Sequence, residues 1–204
     1  MKYDPAKHHR RSIRLKGYDY ASPGWYYLTI CTYEGRFLFG EIIRDEMHLS
    51  EMGAIAQECW NEIPQHFPCA SLDVSSVMPN HLHGIVIIGE GARHGVPVQS
   101  QSRAAAFGKP VPDSLATMVG LFKQAVTRRV RASHAAVRAR HGVPLHIWHE
   151  NYYEHIIRSE KELNRIREYI RTNPQRWPDD VQNPACDREA VDDIEEILDA
   201  DEDL

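Results

Sequence analysis

No apolar run in this 204-residue chain approaches the length of a membrane-spanning helix. Met1-Lys2-Tyr3-Asp4 opens nothing like a signal peptide. Cysteine is sparse. Cys31, Cys59, Cys69 and Cys186 are scattered without a CxxC pair, which argues against a zinc knuckle or a disulfide framework and makes a reducing cytoplasm the expected setting. No internal repeat is visible. What remains is enough chain to bury one good core, hence one domain with appendages.

Charge is missing in two places, and the gaps are informative. No acid occurs between Ser114 and His149, where Lys123, Arg128, Arg129, Arg131, Arg138 and Arg140 fall. Base is nearly missing at the other end. From Trp177 to Leu204 twelve acids face Arg188 alone, a segment charge of −11. The rest of the chain holds 23 basic and 17 acidic residues, or +6, although the whole is −5. Lys2, Lys7, Arg10, Arg11, Arg14 and Lys16 crowd the start. Charge runs are usually solvated faces. A basic body beside an acidic tail nevertheless favours phosphate contact, with Arg10, Arg11, Arg14, Lys16, Lys123, Arg128, Arg129 and Arg131 as the candidate DNA-binding residues.

The most specific local signal is His81-Leu82-His83, set in Val77-Met78-Pro79-Asn80-His81-Leu82-His83-Gly84-Ile85-Val86-Ile87-Ile88. The run after Pro79 is apolar and β-branched, and Gly89 and Gly91 close it, so it reads as a strand. Residues two apart on a strand share a face, so both imidazoles project together while Leu82 enters the opposite layer. Such a pair can grip a divalent ion given a third ligand. Taken alone, it is more often one strand cap and one packed histidine. Asn80 reads as fixing the turn out of Pro79.

Ser159 to Pro174 is helical in pattern. Ser159 and Glu162 make a capping box, and Leu163, Ile166 and Ile170 form an apolar stripe. Pro174 ends the helix near Asn173. Tyr169 and Asn173, four apart, place a phenol and an amide on one face.

With Met78-Pro79-Asn80-His81-Leu82-His83, Asn151-Tyr152-Tyr153-Glu154-His155-Ile156-Ile157-Arg158 and Tyr169-Ile170-Arg171-Thr172-Asn173-Pro174 in this order, the chain resembles the single-tyrosine HUH transposases, most nearly the REP-associated tyrosine transposase branch. The resemblance covers roughly residues 20 to 178. It implies that His81, His83 and Asn173 hold Mg²⁺ or Mn²⁺ and that Tyr169 is the nucleophile. The implied partner is single-stranded DNA folded as a hairpin, with a homodimer left open and a nucleoid-associated, cytoplasmic setting. The two histidines alone would favour softer metals.

A tyrosine oxygen can attack a phosphodiester and hold the cut end covalently, so that a later 3′-hydroxyl reverses the step. The phenol is protonated near neutrality, and a metal on the phosphate helps. Tyr152 and Tyr153 are rival nucleophiles, but they lie in an extended, aromatic-rich stretch where tyrosine ordinarily packs. His149, Glu150, Asn151 and His155 read as surface or hydrogen-bonding residues. Two other readings stand beside the nuclease and strand transferase: a domesticated, non-catalytic DNA-binding regulator, and a zinc or nickel hydrolase, which lacks a placed general base.

Elsewhere, strands are expected at Trp25–Thr32, at Ser71–Met78 and at His81–Ile88, the last two as antiparallel neighbours. A hairpin is expected over Arg36–Ile43 and Met47–Ser50, turning at Arg44-Asp45-Glu46. Helices are expected over Glu51–Ile63, stopped by Pro64, and over Ser114–Arg140. This order gives an α+β fold, helices against one face of an antiparallel sheet. The resemblance sharpens it to a ferredoxin-like core. The expected division is a basic arm (1–22), a nuclease domain (23–178) with a flexible loop (89–113), and an acidic tail (179–204). Opposite charge would let the tail cover the DNA surface, with Val191, Ile194, Ile197 and Leu198 for docking, or it is only a solubilising segment.

Overall fold

The computed structural model describes residues 18–89, 111–133 and 146–185. The candidate basic residues Arg10, Arg11, Arg14 and Lys16, most of the expected 89–113 loop, the last turns of the helix expected to reach Arg140, and the acidic stretch beyond Ala185 lie outside the described residues.

Four strands form one antiparallel sheet: β1 (Gly24–Cys31), β4 (Ala70–Val77), β5 (His81–Ile88) and β6 (Tyr153–Ile157), in the order β4-β5-β1-β6. Helices α1 (Glu51–Asn61) and α2 (Ile63–His66) lie between β1 and β4, and α3 (Leu115–Ser133) between β5 and β6. The fold is α+β, and this strand order is that of a ferredoxin-like core. β2 (Gly40–Ile43) and β3 (Glu46–Leu49) make a separate hairpin. Arg44 (φ 53°) and Asp45 (φ 64°) turn it, both in the left-handed region that a two-residue primed turn requires.

Alternation along the strands divides the core in two. Leu28 and Ile30 of β1 and Leu82 and Val86 of β5 pack with Trp60 of α1 and with Met118, Phe122 and Val126 of α3. Tyr27 and Ile85 point the other way, against Leu163, Ile166, Tyr169 and Ile170 of α4 (Glu160–Thr172). The expectation of helices on one face is therefore corrected: α1 and α3 share a face, and α4 covers the other. The reason is that β1 and β5 are central strands, apolar on both sides, so each face needs a cover.

Local chemistry sets the helix limits. Ser50 accepts Gly53 N–H at 3.1 Å and starts α1. Pro64 does not simply stop that helix. α1 ends at Asn61, and Pro64 opens the next turn, α2, where a proline lacks nothing it needs. Ser159 caps α4 by accepting Glu162 N–H at 3.1 Å. Glu162 reaches past the predicted box: Oε2 accepts Arg158 N–H at 2.7 Å and Oε1 pairs with His155 Nε2 at 2.5 Å.

Candidate metal and nucleophile site

Antiparallel pairing of β5 with β1 sets His83 opposite Thr29 and His81 opposite Cys31. Both histidines face the α4 side and are fully or almost fully buried. Their Nε2 atoms lie 2.9 Å apart. From the other side comes a residue that sequence reasoning left in the acidic tail. Asp180, buried just after the 3₁₀ turn Trp177–Asp179, has Oδ2 3.7 Å from His81 Nε2. Ligand atoms of His81, His83 and Asp180 all fall within 4.8 Å of one another.

Asn173 joins this group by a route the sequence did not suggest. Its Nδ2 donates to Asp180 Oδ2 at 2.8 Å, and its buried Oδ1 has no hydrogen-bond partner. The amide cannot be turned round, because two oxygens would then face each other. A buried orphan acceptor next to a carboxylate and two imidazoles fits a cation. So does the 2.9 Å between the Nε2 atoms, since neighbouring ligands at about 2.1 Å from an octahedral ion sit about 3 Å apart.

The outer ring nitrogens show how the imidazoles are oriented. Asn80 Nδ2 donates to Gln182 O (2.7 Å) and Gly35 O (3.3 Å), which leaves Oδ1 to accept from His81 Nδ1 at 2.8 Å. His81 therefore carries its proton on Nδ1 and directs a lone pair inward from Nε2. His83 Nδ1 meets Tyr27 Oη at 2.7 Å and Thr29 Oγ1 at 3.0 Å, and the Thr29 hydroxyl donates to Tyr27. Burial holds His81 down to about 3 and His83 well below its ordinary value, so both are neutral, the charge state a ligand imidazole needs. Burial, with Tyr169 next to it, pushes the Tyr27 phenol well above its ordinary value, so it stays protonated.

Tyr169 projects from α4 onto the same group, 9% exposed, its ring centroid 5.3 Å from that of His83 and 6.5 Å from that of Tyr27. The rival tyrosines part company. Tyr152 packs on the far side of the sheet, with Lys123 Nζ 5.8 Å from its ring. Tyr153 is on the histidine face, against Tyr27 at 6.2 Å.

The basic candidates on α3 lie on the sheet's other face. Lys123 Nζ donates to the backbone carbonyls of His149 (2.8 Å) and Asn151 (2.9 Å), and burial lowers its pKa to about 8. It ties α3 to the chain before β6. Arg129 pairs with Glu62 at 2.5 Å and reaches Glu58 at 3.8 Å. Arg128 and Arg131 are exposed and, with Trp148 and His149, line a groove of about 450 Å³. Asp180, Tyr27 and Thr29 were missed. Alternation in Trp25–Thr32 could have paired Tyr27 with Thr29, but nothing in the pattern separated Asp180 from the acids around it.

The fold is similar to that of a REP-associated tyrosine transposase solved with a REP hairpin: TM-score 0.51 over 83% of this chain and 73% of that one, at 18% identity. No family profile matches the chain. It is 41% identical over 180 residues to an uncharacterized protein of Haemophilus influenzae, across 88% of this chain and 96% of that one. The chain belongs to that protein's family.

Proposed function

We propose that this protein is a metal-dependent nuclease and strand transferase for single-stranded DNA, with Tyr169 as nucleophile. The observation that carries this reading is one buried group: two inward-facing Nε2 atoms 2.9 Å apart, the Asp180 carboxylate and the Tyr169 ring 5.3 Å from His83. Tyr169 Oη attacks the phosphorus and the 3′-oxygen leaves as a hydroxyl, taking up a proton as the phenol gives one to solvent. A 5′-phosphotyrosine remains, and an incoming 3′-hydroxyl can reverse the step. When bound, a divalent ion, Mg²⁺ or Mn²⁺, held by His81, His83, Asp180 and Asn173 Oδ1, neutralises charge on the phosphate. Asp180 makes this ligand set less positive than two imidazoles and an amide would be. The ferredoxin-like likeness to a transposase bound to a hairpin supports hairpin-forming DNA as substrate.

The test is a covalent protein–DNA adduct, read on denaturing gels with a single-stranded hairpin. Wild type should form it with Mg²⁺ or Mn²⁺ and not in chelator. Tyr169→Phe should abolish it and spare binding, whereas Tyr153→Phe should not. An adduct that survives in Tyr169→Phe, or activity undiminished by chelator, overturns the proposal.

A further inference from the structure

The lip of the site carries aromatic surface that the proposed chemistry does not use. Phe37 is 55% exposed, the most exposed large hydrophobic side chain among the described residues. Its ring stands edge-on to Trp177, centroids 5.6 Å apart, and Trp177 lies 6.0 Å from His81, tilted 33° to it. Three rings thus lead from solvent to a candidate metal ligand.

Neither outer ring hangs from a loose segment. On one side of Phe37, Arg36 O accepts the Thr32 hydroxyl at 2.8 Å. On the other, Phe39 is fully buried and its N–H donates to Pro79 O at 3.0 Å. Trp177 O accepts Asn183 Nδ2 at 2.9 Å, and the turn it begins leads to Asp180. Single exposed apolar side chains are ordinary, but adjoining rings at the rim of a candidate site form a contiguous apolar surface of the kind that marks an interaction site. Of the cations nearby, Arg36 lies over the Tyr33 ring at 5.3 Å and is paired with Glu34 at 2.5 Å, while Arg176, next to Trp177, is exposed and suits a polyanion. A nucleotide offers a base with a π-face of matching size and a phosphate that the Arg176 guanidinium attracts.

We propose that Phe37 and Trp177 form a stacking platform for a base of single-stranded DNA beside the phosphate that reaches His81. This rests on the single-strand reading above and adds the subsite that grips the flanking nucleotide. Such stacking tolerates any base, so the platform sets strand position more than sequence. Duplex DNA, whose bases are already stacked, gains nothing from it.

The experiment is fluorescence anisotropy with a labelled single strand and the full chain in chelator, so that binding is read apart from cleavage. Phe37→Ala, a surface change, should raise Kd roughly fivefold or more, and Phe37→Trp should restore it. One abasic position should weaken wild type and leave Phe37→Ala unmoved. Wild-type binding that Phe37→Ala leaves intact overturns the platform alone. Absence of single-strand binding by wild type overturns the single-strand reading and the platform with it. If Phe37→Ala changes self-association and not DNA affinity, the occupant is a second copy and the proposal fails.

Discussion

A ligand histidine is defined by its outer nitrogen as much as by the inner one. At His81 the outer proton is settled, because Asn80 has both amide hydrogens occupied by Gln182 and Gly35 carbonyls. At His83 the neighbours leave a choice. The Tyr27 hydroxyl can donate to Nδ1, in which case Nε2–H bonds to His81. Alternatively Nδ1–H can donate to Thr29 and Tyr27, which frees the Nε2 lone pair for a cation. Binding of the proposed ion would select the second tautomer, with Tyr27 and Thr29 as the groups that accept its proton. Tyr27→Phe with Thr29→Val keeps both shapes and deletes both acceptors. Metal affinity, read by calorimetric titration, should fall about ten- to a hundredfold. Unchanged affinity would show that these hydroxyls only fill space.

At Gly84 the elements meet with no room to spare. Gly84 follows His83 on β5, and a Cβ there would lie 2.3 Å from Cζ2 of Trp60 on α1. The indole lies against the bare backbone of the strand that carries the histidines, and it also meets Phe122 of α3 edge-on at 5.6 Å. Gly84→Ala must therefore push α1 off the sheet, an overpacking cost of about 1–3 kcal/mol. Urea unfolding should show a lower midpoint with little change in slope. An unchanged midpoint would mean that the indole moves aside freely. On the other face α4 is anchored at its start and near its middle. Ser159 caps it, and Arg167 Nε donates to Asp73 of β4 at 2.9 Å. That anchoring places Tyr169 over β5 and β1.

At the scale of the whole molecule, the site assembles from segments far apart in sequence: Tyr27 and Thr29, Asn80 to His83, Tyr169 and Asn173, then Asp180. The last of these bears on where the acidic tail begins. Asp180 and Asn183 are buried, so the chain up to Asn183 is part of the site's wall. A chain ending after Ala185 should keep a metal-induced thermal shift, and one ending after Pro178, without Asp180, should lose most of it. The chain ending after Ala185 lacks ten acids and one arginine, so it should bind single-stranded DNA more tightly than the full chain at low salt, with the gap closing as salt rises. Equal affinities at low salt would leave the acidic stretch a solubilising segment. Equal thermal shifts in the two truncations would remove Asp180 from the ligand set. The paired histidines, the α4 stripe with its cap, and the common face of Tyr169 and Asn173 were legible in the sequence, because each is a periodicity within one element. The split of the helices between two faces and the pairing of His83 with Thr29 were not, since both depend on which strands become central. Asp180 was hidden for the same reason. Among twelve acids in the last 28 residues, nothing local marks the one that a turn after Pro174 folds back to Asn173 and His81.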